Sequence, residues 1–499
     1  MGFKKRNRQI SVFEYPSGFH GVSIDPSNRW VKLSHQMPWD LIEEIYATKF
    51  NGPRGNRAYS SRLAFGALFL KQALNVSDAD LIELVRENPY LQFFLGFEEF
   101  SSELPFDTSL MSYFRQRFTA AEICQINEAI IAQNPLKKPS SNDDSDDDSS
   151  GGHSGESDPK DSESSTSSVN DLVQTNSGTL ILDATCVPQD IHFPTDIRLL
   201  YEAVCSAMRH LEITRGKPIT KTQKSLLNHA RQAYLSISKS KKNTPAQFRE
   251  KQGILLRLLK RCLGYFDSPA MNKPISPKTM DALKTLSLIH DQQFEMWKLK
   301  INRIERRIVS VSQPWVRPIK RGKASVNTEF GSKIALSTVD GYVRMEYFSF
   351  ENFNEALTLQ ESAERYKERT GSYPERILAD KIYRNKANLA FCKSKNIRMN
   401  GPALGRPPKD PQVRQQQRAA EVQEAGDRNM VEAKIGESKR KYGLDRIMER
   451  TQQATEVMIC VSFVVMNSFR NLRKHLASFF DKNQVFNFYI SFEVYAIAS

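Results

Sequence analysis

The sequence predicts an α/β protein: a mixed five-stranded sheet interrupted by a helical insertion, with an all-α domain ahead of it. Three observations predict this. Residues 28 to 134 carry helical periodicity throughout, short apolar runs of strand type begin at residue 178 and recur at 329, 342, 375 and 397, and a long basic helical stretch separates the first run from the others.

Taken in order, Pro38-Trp39-Asp40 opens a helix with Leu41, Ile42, Ile45 and Tyr46 on one face, and Ser61 to Leu74 forms the next. Ser77-Asp78-Ala79-Asp80 supplies capping residues ahead of Leu81, Ile82 and Leu84. Pro105 to Ser109 then precedes a short helix, Leu110 to Phe118, that carries Arg115 and Arg117. The pattern fits a helix-turn-helix reader whose last helix enters a DNA groove, and it equally fits a plain helical bundle. Residues 135 to 172 are rich in Ser and Asp, cannot bury a core, and read as a disordered linker.

Beyond the linker the period changes. Gly178 to Thr185 is a short apolar run with Asp183 at its C-terminal tip, the pattern of a buried strand. Residues 202 to 300 return to helix. Glu329 to Thr338 and Tyr342 to Phe348 flank an Asp340-Gly341 turn and read as a β-hairpin. A helix from Asn354 to Arg369 follows, then a strand from Glu375 that ends on Asp380, a helix from Asn385 to Ser394 and a strand at Ile397 to Met399. The helix from Glu456 to Phe479 closes the open face of the sheet. The expected division is an N-terminal helical DNA-binding domain at 1–134, the linker at 135–172, a core at 173–201 and 322–452, a basic insertion at 202–321, and a C-terminal helix and tail at 453–499.

Composition narrows the partner. A chain of 499 residues that is 39% hydrophobic fills two or three cores. Its net charge of +14 points to a polyanion, either nucleic acid or an anionic membrane. Residues 139 to 168 hold nine acids and one lysine, so the remainder carries +22. From Arg209 to Arg261 there are fourteen Lys and Arg against two acids, a density suited either to phosphate contacts or to a solvated helical face. The longest apolar run, Val457 to Met466, is ten residues, well short of the roughly 20 that a spanning helix needs, so no membrane partner is expected. Six scattered cysteines without a C-x-x-C pair exclude a zinc cluster and read as reduced thiols in a cytoplasmic protein. The basic N-terminus lacks an apolar signal core.

Two strand-end aspartates and a helix-borne acid are the donor set that metal-assisted phosphodiester chemistry requires, because hard cations such as Mg²⁺ take carboxylate oxygen. At 100° per residue, Arg428, Glu432 and Lys439 fall within about 40° of one direction on a helix, whereas Glu437 points roughly 140° away from Glu432. Glu432 is therefore the candidate ligand and Glu437 a surface acid. Asp196 reads as a helix N-cap ahead of Leu199 and Leu200, or as a group that supports the metal-binding acids from behind. Trp297 and Trp315 read as buried aromatics at the junction of insertion and core, or as stacking platforms for a flipped base.

Asp183 in Leu-Asp-Ala-Thr, Asp380 in Ala-Asp-Lys-Ile-Tyr-Arg-Asn, and Arg428-x-x-x-Glu432-x-x-x-x-x-x-Lys439 followed by Tyr442-Gly443-Leu444 resemble the DDE transposases of bacterial insertion sequences, in the group with a Tyr-x-x-Arg-x-x-x-Glu-x-x-x-x-x-x-Lys signature. Asn28 to Val31, Glu87 to Gln92, Phe114 to Arg117 and Pro194-Thr195-Asp196 also resemble that group. The resemblance implies an RNase H-like core in which Asp183, Asp380 and Glu432 bind two Mg²⁺ or Mn²⁺ ions. It implies hydrolysis at the terminal inverted repeats of a mobile element and transfer of the freed 3′-hydroxyls to target DNA. Arg428 and Lys439 are implied as phosphate contacts, with Arg440, Arg115 and Arg117 as further DNA contacts; double-stranded DNA is the partner, a homodimer the synaptic form, and the nucleoid the location. The signature tyrosine falls at Ala425 in this chain. The alternatives are a catalytically silent, sequence-specific DNA-binding relative and a metal nuclease that cuts without joining.

Overall fold

The computed structural model describes residues 23–50, 58–133, 176–267, 274–320, 328–401 and 410–497, with side chains to 474. The expected linker at 135–172 lies outside them.

Among the described residues seven helices come first: α1 (Arg29–Gln36), α2 (Trp39–Ala47), α3 (Ser61–Leu74), α4 (Asp78–Glu87), α5 (Pro89–Leu95), α6 (Leu110–Arg117) and α7 (Ala120–Ala132). Their starts follow capping chemistry. The side chains of Asn28, Ser60, Ser77 and Asn88 each accept a backbone N–H of the following first turn, and Thr119 and Glu122 form a reciprocal capping box.

Strand β1 (Thr179–Pro188) leads into four helices, α8 (Asp196–Arg215), α9 (Lys221–Ser238), α10 (Pro245–Leu263) and α11 (Pro277–Leu299), which share a core of their own around Leu200, Val204, Leu255, Leu259 and Ile289. The chain then returns to the sheet through β2 (Arg317–Lys320), β3 (Thr328–Val339), β4 (Tyr342–Ser349), helix α12 (Leu359–Thr370), β5 (Arg376–Leu378), α13 (Lys386–Ser394) and β6 (Arg398–Met399), and ends with the long helices α14 (Pro411–Lys441) and α15 (Gln452–Ile497). Strand β3 pairs antiparallel with β1 on one side and with β2 and β4 on the other, while β5 pairs parallel with β1 and β6 parallel with β5. The five strands expected from the sequence are present. The short β2 is additional; its apolar content is too small to stand out, and it forms because β3 offers a long edge.

The β3–β4 turn places Asp340 at φ +47° and Gly341 at φ +73°, the backbone that a two-residue hairpin needs. Gly331 is required for another reason: a Cβ there would collide with the Val187 carbonyl oxygen where β1 and β3 cross closely.

Apart from a small cluster around Ile24 and Val31, the N-terminal helices share their core with the rest of the described chain. One apolar cluster runs from Leu68, Phe69, Phe94 and Ile126 through Val457, Val461, Val464 and Val465 of α15 to Ile334, Leu336 and Val343 of the sheet. Residues 457–466 of α15 are buried on every side because helices α3 and α7 cover one flank and strand β4 the other. The expected closing helix is thus a shared spine. Its buried Asn467 satisfies the outer edge of β4, accepting from the Val343 N–H at 3.0 Å and donating to the Val343 carbonyl at 2.8 Å; Asn471 accepts from the Tyr342 hydroxyl at 2.6 Å.

Candidate functional site

The site is built where β1 and β5 part. Their parallel pairing ends at Ile181 opposite Leu378, so two residues further on Asp183 and Asp380 continue the same register on strands that lie about 4.8 Å apart while paired. Asp183 is not at the tip of its strand, as the sequence suggests. β1 runs on to Pro188 because β3 pairs with it through Gly331; only its β5 edge is open at Asp183. A single strand's pattern cannot show that its two edges end at different residues.

Asp380 caps a short 3₁₀ turn, accepting from the Lys381 N–H at 2.7 Å. Behind it, the Asn400 side chain holds the peptide of Ala379 from both sides, accepting its N–H at 2.9 Å and donating to its carbonyl at 3.0 Å. Asn400 fixes the backbone that presents Asp380, and no sequence motif marks it.

Glu432 comes from α14. This helix lies over β1, β3 and β5 through a stripe in which Glu424, Val431 and Ser438 are buried at seven-residue spacing. Ion pairs to the parallel edge of the sheet fix it: Arg376 to Asp427 at 3.0 Å, and Arg398 to Glu424. Arg428 then joins two of the three predicted acids. Its Nη2 donates to Glu432 at 2.8 Å and its Nη1 stands 3.5 Å from Asp380. Glu437 does point away from Glu432, but it is no surface acid. It is only 16% exposed and sits among Lys434, Lys441 and Arg473, where side-chain hydrogen bonding and these charges outweigh burial and hold its carboxyl below the usual range.

Burial pushes the Asp183 carboxyl up to about 6; the Ala184 N–H that it accepts and Arg428 work against this, and Glu355 and Glu432 reinforce it. Glu355 is a fourth acid at the site that the sequence did not single out. It opens the 3₁₀ turn Glu355–Thr358 ahead of α12 and pairs with Lys333 at 2.8 Å. The one signal for it was Asn354, a capping residue at a helix start, which says nothing of what the helix end faces.

Among the described residues, no three acidic, His or Cys side chains stand close enough to share one ion. What the strands bring together is an all-carboxylate donor set, crowded enough to raise Asp183 and bridged by one guanidinium. Such a set suits a hard divalent cation, since carboxylate oxygen is its preferred donor and added positive charge relieves the crowding.

Residues 377–468, which contain Asp380 and Glu432, match the family model of a transposase DDE domain, and residues 21–117 match that of a further transposase domain. Together the two matches support a DDE transposase of an insertion sequence. Asp183 lies outside both matched segments. The chain is also 29% identical over 190 residues to an uncharacterized protein, ORF8 of the nfe locus in Rhizobium meliloti, a match that covers 38% of this chain and 74% of that one. No solved structure matches it. No helix among the described residues is long and apolar enough to cross a membrane.

The basic residues expected to meet DNA divide into two groups. Arg440 is exposed and Lys439 half-buried near the end of α14, two turns beyond Glu432. Arg115 is 8% exposed and turned inward, paired with Asp78 and at 3.4 Å with Glu449, which also receives Lys71 at 3.2 Å. Arg117 covers the Phe50 ring at 4.7 Å. Arg115 therefore ties the N-terminal helices to the loop before α15, which corrects its expected place in a DNA groove; Ser112, Tyr113 and Gln116 form the exposed face of α6 instead. Two smaller expectations also shift. Thr195, not Asp196, caps α8, freeing Asp196 to pair with Arg307 at 2.5 Å. Trp297 packs on Gly253 within the insertion and donates to the Arg249 carbonyl at 3.0 Å, so its ring serves the insertion core; Trp315 meets Phe350 edge-on.

Proposed function

We propose that the transposase cuts DNA at the ends of its element and joins the freed 3′-hydroxyls to target DNA, with Asp183, Asp380 and Glu432 holding two Mg²⁺ or Mn²⁺ ions in an RNase H-like core. The observation that carries this reading is the continued register of Asp183 and Asp380 on parallel neighbouring strands, with Arg428 linking Asp380 to Glu432. The strand arrangement supports it too: apart from the short β2, three antiparallel strands, β1, β3 and β4, are followed by two that run parallel to β1, as the resemblance to an RNase H-like sheet implies.

In this reading the three carboxylates supply the oxygen ligands. Bound there, the ions supply activation of an attacking oxygen and stabilisation of a leaving one. Arg428 holds Asp380 and Glu432 together against their mutual repulsion. Asn400 and the Lys381 N–H set the orientation of Asp380. Glu355 adds negative charge beside Asp183 that Lys333 partly offsets. Lys439 and Arg440, about 10–12 Å along the helix from Glu432, serve the DNA phosphates on either side of the scissile bond. Two copies of the chain bring two element ends together.

The test is incubation with Mg²⁺ or Mn²⁺ and DNA carrying the segments that flank the gene. Cuts at a defined end that leave 3′-hydroxyls, followed by covalent joining to a plasmid, support the proposal. Cutting without joining makes the protein a nuclease. Binding without cutting makes it the silent relative that Ala425 in place of the signature tyrosine suggests.

A further inference from the structure

The helical insertion carries a surface that the chemistry at the sheet does not use. Between Glu212 and Glu250 the chain contains no acid. Within this stretch Lys217, Lys221, Lys224, Arg231, Lys241 and Lys242 are all exposed, and among the described residues none of them forms an ion pair. Elsewhere the described surface cations are commonly paired, as in Arg198–Glu202, Lys284–Asp281 and Arg365–Glu361.

The placement on α9 is one-sided. Gln223, Leu226, Ala230 and Ala233 are buried against α8 and α10. At 100° per residue, Lys221, Lys224, Asn228 and Arg231 fall within about 80° of one another on the opposite side. The capping box of Thr220 and Gln223 fixes the start of this face, and the α9–α10 connection adds Lys241 and Lys242 at its far end. Between the cations stand Ser225, Asn228 and Gln232, all exposed, with no exposed aromatic or large aliphatic side chain among them. A membrane-binding helix needs an apolar stripe beside its cations, and a single-strand binder needs exposed aromatic side chains on which bases stack. This face has neither.

We infer that the solvent face of α9, with the α9–α10 connection, binds the phosphate backbone of duplex DNA without regard to sequence. The inference rests on the reading of the chain as a DNA-acting enzyme. It assigns the insertion to DNA that must be held whatever its sequence, such as target or flanking DNA, and leaves recognition of the ends to other parts of the chain.

The test compares the full-length protein with a Lys221→Gln/Lys224→Gln/Arg231→Gln variant, using fluorescence anisotropy on two 40-base-pair duplexes, one from the gene's flank and one of scrambled sequence, over a range of salt. Each phosphate contact contributes about 0.9 to the slope of log affinity against log salt. The variant is expected to lose about 2–3 from that slope and at least about tenfold in affinity at 0.1 M salt, equally on both duplexes, with its melting midpoint unchanged. An unchanged slope overturns the inference, as does a loss confined to the flank duplex, and so does binding of the natural protein to anionic phosphatidylserine vesicles but to neither duplex. Metal-dependent cleavage of the flank DNA, followed in parallel, separates the outcomes: an unchanged slope with cleavage intact removes this surface alone, whereas no binding and no cleavage by the natural protein removes the DNA-acting reading as well.

Discussion

Replacing Asp183 by Asn is expected to stabilise the metal-free protein at neutral pH. In an unfolded chain the Asp183 carboxyl ionises near 3.8, and in the folded protein near 6, chiefly through burial. The folded state therefore holds the proton more tightly. Stability is greatest below about pH 4, falls as pH rises between the two values, and is level above about pH 6. Roughly two units at about 1.4 kcal/mol each set an upper bound of about 3 kcal/mol, which the partial exposure of Asp183 reduces to about 1–2 kcal/mol. Asn keeps the shape and removes the charge. Since about 1 kcal/mol moves the midpoint of a cooperative unit this large by about 1 °C, the variant should melt about 1–2 °C above the natural protein at pH 7.5 and level with it at pH 4. Excess Mg²⁺ at pH 7.5 should reverse the order, because an ion that binds the native state stabilises the protein that can hold it. The assay is a thermal melt at both pH values with and without Mg²⁺. A variant that melts lower at both, or by the same interval at both, refutes the argument that Asp183 is held under electrostatic load.

Other outcomes follow from the same structure. Asn400→Ala removes both hydrogen bonds to Ala379 and should cost about 1–2 kcal/mol while cutting metal-dependent cleavage by at least about tenfold; a melt together with cleavage rates at saturating DNA checks this. Arg115→Ala leaves Glu449 and Asp78 short of a partner in a buried setting and should cost about 3 kcal/mol, with little change in the salt slope of DNA binding for the fraction that folds, which denaturation and anisotropy together would show. Gly331→Ala drives a methyl group into the Val187 carbonyl and should yield little soluble protein, or a circular-dichroism spectrum with reduced sheet content.

Much of the geometry of the candidate site was legible because its signals are local. An apolar run ending near an acid marked Asp183 and Asp380, the Asp340-Gly341 dipeptide fixed the hairpin, and helical spacing separated Glu432 from Glu437. The unread features depend on partners distant in sequence. Arg115 looks identical in a bundle and in a DNA-reading helix until Glu449, more than 300 residues on, is placed beside it. The apolar residues at 457–466 announce a buried helix, but not that one helix lies between the N-terminal bundle and the sheet. Glu355 and Asn400 act through where a turn ends and which peptide an amide reaches, and neither leaves a pattern along the chain.

The account's central claim is that Asp183, Asp380 and Glu432 hold the same metal. Fe²⁺ substituted for Mg²⁺, with ascorbate and peroxide, generates radicals that cut the polypeptide close to the bound ion. The account predicts backbone cuts beside all three residues in the natural protein, suppressed by excess Mg²⁺ and lost together in Glu432→Gln. Cuts confined to one segment, or persisting unchanged in that variant, would contradict it.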